Sequence, residues 1–404
     1  MREISSNDNR GLMVILTAIW MFAMTQVVSG QTWMQTRAPT TNWQSVASSA
    51  DGKILAAAAG RQISVGAYTG GVFISTNSGN DWFQANLPAT NFYAGIALSA
   101  DGGGLATTFI NGGIYYSTNL GTTWSFNSTY FPPRYFGPAH TIASSADGTK
   151  LAVSCAMIYT STDGGATWAS NNISGPRYAS ISSSADGNKL AVASLSDTAV
   201  YLSTDAGMTW RTNNVPNGAF QDIASSADGS HLIAAGSQQI PGPIYTSSDS
   251  GMTWVSNNAP KTGWRTVAAS ADGTFLAAAT ASISLATNGV WATNTTPTVS
   301  GGIVSLASSA DGAQLVAASG STQPGGIYTL KVIRPPQLKL TPDSGHNVVL
   351  SWLVPSTNFV LQQSSDLASW ADLTNAPTLN FTNLKNQVML SPSNSSGFYR
   401  LAVP

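Results

Sequence analysis

The sequence predicts an all-β fold built from seven repeats. The tetrapeptide Ser-Ala-Asp-Gly occurs seven times, and its successive aspartates are 50, 46, 39, 42, 44 and 39 residues apart. In three repeats a second motif, Ser-x-Asp-x-Gly-x-Thr-Trp, follows after a hydrophobic run, and three further repeats carry variants of it. A repeat of ~40–50 residues that holds several short strands is typical of a β-propeller. We therefore predict a seven-bladed β-propeller. The seven aspartates are Asp51, Asp101, Asp147, Asp186, Asp228, Asp272 and Asp311.

Each repeat is predicted to form four strands, A to D. Strand A ends at the Ser-Ala-Asp-Gly turn, and strand B is the run rich in Leu and Ala that follows it. Strand C carries an Ile-Tyr-Thr/Ser pattern, and strand D begins at the tryptophan of the second motif. The Asp-Gly pair is a hairpin signal, because glycine accepts the positive φ of a tight turn. The D–A and B–C connections should then share one face of the propeller, called here the D–A face.

The seventh repeat, from Ile303 to about Val332, has strands A to C but no second motif. The missing strand is found near the N-terminus, where residues 32–39 match Thr253 to Pro260 of the fifth repeat. We expect this N-terminal strand to complete the seventh blade in a 3+1 arrangement, because ring closure removes exposed sheet edges.

Two segments lie outside the predicted propeller, which spans residues 31–334. Residues 1–30 have the layout of a signal peptide: Arg2 and Arg10, a 14-residue apolar core over 11–24, and small residues before Gln31. This core is shorter than the ~20 residues of a spanning helix, so we expect cleavage and no stable membrane span afterwards. Residues 335–404 lack the repeat and alternate polar with apolar residues, which predicts a small β-sandwich.

Composition limits the possible partners. Only 9% of the residues are charged, against ~25% in an average soluble domain, and the net charge is −1. Binding of nucleic acid through bulk electrostatics is therefore not expected. A surface of hydroxyls and amides suits an extracytoplasmic protein.

The second motif gives the chain a family resemblance. These units resemble the Asp-box (BNR, sialidase-like) propellers, a group that includes sialidases, some endoglucanases and the photosystem II assembly factor family. The resemblance implies that the box lies on the face opposite the ligand site and is structural. The tail resembles a C-terminal module of many exported bacterial proteins. The motif is intact at Ser161–Trp168, Ser203–Trp210 and Ser247–Trp254, carries Asn for Asp at Ser75–Trp82 and Ser117–Trp124, and is shortened at Ala286–Trp291.

The sequence contains few residues that could form a catalytic site. The only glutamate, Glu3, lies in the predicted signal peptide, so the mature chain lacks the sialidase catalytic set. A hydrolase with two carboxylates could use Asp197 and Asp222. A lyase could use His140 with Arg134 or Arg177. We favour structural roles for the two aspartates.

No cofactor or metal site is predicted. The three histidines lie in different repeats or the tail, without the spacing of metal ligands. The single cysteine, Cys155, sits in an apolar run with no cation beside it, which predicts a buried, unreactive thiol.

One column of residues marks the entry from strand D to strand A, eight positions before each Ser-Ala-Asp-Gly aspartate. Five of its seven members are aromatic, and packing between blades is the preferred interpretation. The alternative is a ligand platform, because ring faces stack on sugars and extended peptides. The column reads Trp43, Tyr93, Ala139, Tyr178, Phe220, Trp264 and Ile303. The polar groups near it are Arg134, His140, Arg177, Asp222, Lys261 and Arg265.

We predict an exported, monomeric, non-catalytic recognition protein that binds a glycan or a protein partner on the D–A face. The candidate ligand-binding residues are five aromatics and three arginines. The alternatives are a polysaccharide-active enzyme and an assembly-factor-like scaffold for another exported protein. The eight candidates are Trp43, Tyr93, Arg134, Arg177, Tyr178, Phe220, Trp264 and Arg265.

Overall fold

The computed structural model describes residues 32–402, apart from several gaps. Arg134, His140, Arg177 and Asp197 fall in these gaps, and the predicted signal peptide precedes the described range. The described residues form strands and no helix, which confirms the all-β prediction. The described residues divide into two compact units, one of residues 32–332 together with 381–384 and one of the other residues from 338 onward. The gaps are 111, 130–140, 172, 174–177, 196–198, 216–218, 237–241, 261, 295–300, 321, 333–337, 344–346, 354–359, 366, 374–376 and 391–397.

The first unit contains seven four-stranded antiparallel sheets in its described part, numbered here 1 to 7 along the chain. In sheets 1 to 6 the four strands pair in chain order. The first strands are β2 Trp43–Ser48, β6 Tyr93–Leu98, β10 Thr141–Ser144, β14 Tyr178–Ser183, β18 Phe220–Ser225, β22 Thr266–Ala269 and β26 Ile303–Ser308. The second strands are β3 Leu55–Ser64, β7 Leu105–Phe109, β11 Leu151–Ser154, β15 Leu190–Ser194, β19 Leu232–Gly236, β23 Phe275–Ala279 and β27 Gln314–Ser319.

The outer halves of the sheets are shorter. The third strands are β4 Ala67–Ser75, β8 Ile114–Ser117, β12 Ile158–Ser161, β16 Ala199–Ser203, β20 Ile244–Ser247, β24 Ile283–Thr287 and β28 Ile327–Lys331. The fourth strands of sheets 1 to 6 are β5 Phe83–Gln84, β9 Ser125–Asn127, β13 Ala169–Asn171, β17 Arg211–Asn214, β21 Val255–Ser256 and β25 Val290–Asn294.

Sheet 7 takes its fourth strand from the other end of the chain. Strand β1, Met34–Gln35, pairs antiparallel with β28, so that Gln35 lies opposite Tyr328. Trp33 just before it is 8% exposed and lies in a core cluster with Leu330. The pairing matches the one expected from the matching N-terminal sequence.

The seven sheets form a closed ring. The alanine of each Ser-Ala-Asp-Gly turn donates its backbone N–H to the carbonyl oxygen of the corresponding alanine in the next sheet, at 2.7–2.9 Å. Seven hydrophobic clusters, each with residues from two consecutive sheets, follow the same cyclic order. The ring runs Ala50, Ala100, Ala146, Ala185, Ala227, Ala271, Ala310 and back to Ala50.

The Ser-Ala-Asp-Gly turn holds itself together. Ser226 Oγ donates to Asp228 Oδ1 at 2.7 Å and accepts the N–H of His231 at 2.9 Å. Asp228 Oδ1 also accepts the N–H of Ser230, and Gly229 has a φ of +66°. The serine–aspartate bond recurs in all seven turns at 2.5–2.7 Å. These aspartates are therefore used by their own turns.

The second motif is also self-contained. The Asp249 carboxylate accepts the hydroxyl of Ser247 and both the hydroxyl and the N–H of Thr253. The bonds from Thr253 contribute most to lowering the pKa of Asp249 to about 2. Trp254 donates its indole N–H to the carbonyl of Gly251 at 3.2 Å. This geometry agrees with the structural role predicted for the motif.

The second unit is a small β structure with its own core. Its described part has a four-stranded sheet in the order β29-β30-β34-β33 and a three-stranded sheet in the order β32-β31-β35. Leu350, Trp352, Leu361 and Val388 form its buried cluster. The strands are β29 Lys339–Pro342, β30 Val348–Leu353, β31 Val360–Ser364, β32 Ala371–Asp372, β33 Thr378–Asn380, β34 Lys385–Leu390 and β35 Phe398–Ala402.

Candidate functional site

The five aromatic residues at the D–A entry are buried between sheets. Trp43, Tyr93, Tyr178 and Phe220 are 0% exposed, and Trp264 is 1% exposed. Each belongs to a cluster that joins two consecutive sheets. These rings therefore present no face to a ligand, which corrects the alternative of an exposed aromatic platform and favours the packing interpretation.

A β-bulge follows the entry residue in five sheets. The pairing between first and second strands shifts register there, so the first strand has one more residue than the second over this stretch. A bulge bends the strand and redirects its side chains. The residues at this bulge position are Gln44, Ala94, Ala179, Gln221 and Val304, and in sheet 6 Arg265 has the equivalent place in sequence.

The side chain at the position after the bulge accepts a hydrogen bond from the first strand of the next sheet. Asp222 accepts the N–H of Val267 in sheet 6 at 2.9 Å, and its other carboxylate oxygen accepts the N–H of Ile223 at 2.9 Å. Hydroxyl oxygens make the corresponding bond between other sheets, at 3.1–3.4 Å. They belong to Ser45, Thr141, Thr266 and Ser305.

The surroundings of Asp222 fit a structural acceptor. Burial raises the pKa of its carboxyl, and bonds from the Ser180 hydroxyl, the Val267 amide, the Thr266 hydroxyl and the Ile223 amide oppose that shift. A carboxylate whose oxygens are held by two backbone N–H groups is poorly placed to attack or protonate a substrate. Asp222 therefore gives no support to the hydrolase alternative, and its proposed partner Asp197 lies outside the described residues.

Arg265 is the described cation nearest in sequence to this row of acceptors. It directly precedes Thr266, whose hydroxyl accepts the N–H of Leu306 at 3.1 Å. Burial lowers the pKa of the Arg265 guanidinium. The D–A entry therefore combines similar packing underneath with side chains that differ between sheets: Gln44, Gln221 and Arg265 on three of them, and aliphatic groups on others.

An extended hairpin was missed by the sequence reasoning. Strands β3 and β4 run for 10 and 9 residues, and their tip exposes Ile63 (66%) and Val65 (100%). Tyr68 of this hairpin meets Phe92 edge to face, with ring centroids 6.1 Å apart. The signal was present, because the interval of 50 residues between Asp51 and Asp101 is the longest of the six.

Other chemistry is sparse in the described part of the chain. It holds no group of three or more His, Cys, Asp or Glu residues placed to bind a metal. No helix in the same ranges is long and apolar enough to cross a membrane. Cys155 is buried, as predicted, and its thiol lies 3.2 Å from the carbonyl oxygen of Met157.

The fold is that of a β-propeller. No family model matches the sequence, and no curated protein matches it. Several solved structures match the fold of this chain at low sequence identity. "YCF48 bound to D1 peptide" is 14% identical, with a TM-score of 0.53, and the match covers 75% of this chain and 97% of that one. The Myceliophteria thermophila Cps50 (Swd1) β-propeller domain is 13% identical, with a TM-score of 0.55 over 75% and 100%. U3-55K is 13% identical, with a TM-score of 0.57 over 74% and 98%.

Proposed function

We propose that this chain is an exported, non-catalytic recognition protein that binds an extended segment of a protein partner on the D–A face. The seven sheets would be the blades of a closed, Asp-box type propeller, and the tail a β-sandwich. Export is proposed on the signal-like residues 1–30, and the mature protein is then extracytoplasmic. A structural neighbour described as bound to a peptide supports a protein partner.

The observation that carries the proposal is the contrast within the D–A entry. The entry aromatics are buried between sheets, and the turn aspartates and Asp222 are held by hydrogen bonds within the scaffold. The bulge positions beside them carry Gln221 and Arg265 in sheets 5 and 6, whereas the amide of Gln44 in sheet 1 donates to the carbonyl of Gly60 at 2.9 Å. Amide and guanidinium groups can donate to peptide carbonyls, and the amides can also accept peptide N–H groups. Function grafted on a repeat scaffold is expected at positions that vary between repeats.

A glycan partner on this face is the weaker alternative. Sugar rings bind proteins largely through stacking on exposed aromatic faces. The five aromatic residues that suggested such a platform are buried, so polar contacts remain as the main source of recognition there. Polar contacts to main-chain groups suit an extended peptide.

A displayed library of random peptides, selected against residues 31–404, tests the proposal. We expect enriched peptides whose affinity falls about tenfold or more in the double variant Gln221→Ala/Arg265→Gln. Lys53→Ala is the matched control, because Lys53 is an exposed cation at the Ser-Ala-Asp-Gly end of sheet 1. Failure to enrich any peptide, or equal binding by the double variant, would contradict the proposal.

A further inference from the structure

A cleft of about 390 Å³ opens between the outer strands of sheets 3 and 4, and Ile173 of the connection that leads to Tyr178 also lines it. It lies among Asn171 of β13, Tyr201 of β16, Thr212 of β17 and Met208 and Trp210 of the second motif of sheet 4. Small-molecule sites typically measure about 300–1,000 Å³. The cleft therefore has room for a ligand the size of a sugar residue.

One asparagine beside the cleft turns inward. At the third position after the motif tryptophan, Asn127 donates to the carbonyl of Ala166 in the next sheet at 2.5 Å. Asn213 likewise donates to the carbonyl of Met252 in the next sheet at 2.7 Å. These bonds tie an outer strand to the following motif loop. Asn171 instead donates within its own sheet, to Thr160 Oγ1 at 3.3 Å.

The following loop is consequently not tied by that amide. It carries Met208, which is 78% exposed. Asn257 of sheet 5 also turns inward, to Thr246 Oγ1 at 3.2 Å. The next sheet there has only the shortened turn at Ala286–Trp291 in place of a full motif loop. The boundary between sheets 3 and 4 thus combines an inward asparagine with a complete loop.

The lining has the chemistry of a neutral polar ring site. The Trp210 indole is fixed by its N–H bond to the carbonyl of Gly207 at 2.9 Å. Tyr201 is packed edge to face on Tyr178, with centroids 5.5 Å apart. The Arg211 side chain is directed to sheet 5, where it donates to the carbonyl of Ser250 at 3.2 Å.

Aromatic, thioether, amide and hydroxyl groups and the aliphatic side chain of Ile173 therefore line the cleft, and the one cation among its described lining residues is engaged by the neighbouring sheet. Such a surface combines stacking with directional hydrogen bonds, which suits a sugar ring better than an aliphatic chain.

We propose that this cleft binds a neutral sugar residue, with one ring face against Trp210 and its hydroxyls bonded to Asn171 and Thr212. The site lies between sheets 3 and 4, whereas the peptide site is proposed at the bulge positions of sheets 5 and 6. Either one can be present without the other.

Saturation-transfer NMR with cellobiose, maltose and lactose as probes tests the cleft directly. We expect transfer from residues 31–404 to at least one of these sugars. Thr212 is exposed, so Thr212→Trp places a large side chain in the cleft, and it should weaken that binding about tenfold or more. Met208→Ser should weaken it less, because only the lip of the cleft is lost.

The matched control is Met252→Ser. Met252 occupies the same motif position in sheet 5, where Asn213 ties the loop. It should leave sugar binding unchanged, and thermal unfolding should show that all variants fold. Absence of transfer to all three sugars, retention of binding by Thr212→Trp, or an equal loss in Met252→Ser would overturn the proposal.

Discussion

Asp222 is the one carboxylate among the described acceptors that join neighbouring first strands. Hydroxyl oxygens fill the same role elsewhere, as when Thr141 accepts the N–H of Ile181 at 3.2 Å. A hydroxyl satisfies the bridging N–H group without burying a charge, whereas a buried carboxylate loses solvation. The consequence at this position is an ionisable group whose pKa is raised by burial.

Replacing Asp222 with threonine should keep the acceptor for Val267 and remove the buried charge. We expect Asp222→Thr to be at least as stable as the wild type at pH 7. Because the folded pKa of Asp222 is raised, its favourable contribution is fully present below the unfolded pKa of about 3.9 and is lost as pH rises through the higher folded value. Chemical denaturation across this range should therefore show the wild type losing stability relative to Asp222→Thr as pH rises.

Asp222→Ala provides the contrast. It leaves the Val267 N–H without its partner, which should cost about 1–3 kcal/mol at pH 7. If alanine and threonine behave alike, the bridging bond has no energetic role. If Asp222→Thr instead removes a measured glycosidase activity without changing stability, the structural assignment of Asp222 is wrong.

At the scale of the element, the Ser-Ala-Asp-Gly turn requires glycine for two reasons. Gly273 has a φ of +69°, a region that L residues rarely adopt. A Cβ placed on it would also lie 2.5 Å from Cβ of His231 in the preceding sheet. The turn therefore needs glycine both for its backbone and for the approach of its neighbour.

Two glycine substitutions separate these causes. Gly66, at the exposed hairpin tip, has a φ of +77° and no neighbouring atom within 4 Å of the place a Cβ would take, so Gly66→Ala should cost only the roughly 1–2 kcal/mol of left-handed strain. Gly273→Ala should cost about 1–3 kcal/mol more, because it adds crowding against His231. Denaturant unfolding of both variants measures the difference, and equal losses would show that crowding is unimportant.

Local elements and the closing strand pairing are predictable from the sequence, whereas the hydrogen-bond partners of individual side chains are not. The turn of Ser226 and Asp228 is specified within six residues, and the Ile-Tyr-Thr-Ser pattern predicts strand C of the third repeat at Ile158–Ser161, its observed bounds. The partner of Asp222 is a backbone N–H 45 residues away, which no side-chain pattern encodes. The bond of Asn171 to Thr160, beside the cleft between sheets 3 and 4, is likewise not specified by the sequence.

At the scale of the whole molecule, a strand of only two residues closes the ring. Strand β1 has two residues, yet the adjoining Trp33 is buried in the cluster between sheets 6 and 7. The Thr36 N–H adds a bond to the carbonyl of Ile327 at 2.8 Å. Closure therefore depends on one anchored side chain as much as on strand pairing.

Trp33→Ala should lower the free energy of unfolding by about 3–5 kcal/mol, because a large buried aromatic is removed. Met34→Ala is the control on the same strand, since Met34 is 69% exposed and its loss should change stability by only about 0.5 kcal/mol. Chemical denaturation of residues 31–404 checks both. A Trp33→Ala variant as stable as Met34→Ala would mean that this strand does not lock the ring.

The central claim is that the repeats build the scaffold and the variable D–A entry recognises a protein segment. Hydrogen–deuterium exchange of residues 31–404, with and without a selected peptide, tests it most directly. We expect the peptide to slow exchange at the beginnings of the first strands, around Gln44, Gln221 and Arg265, and to leave the Ser-Ala-Asp-Gly turns unchanged. Protection confined to those turns or to the Ser-x-Asp-x-Gly-x-Thr-Trp loops would place recognition on the opposite face and contradict the account.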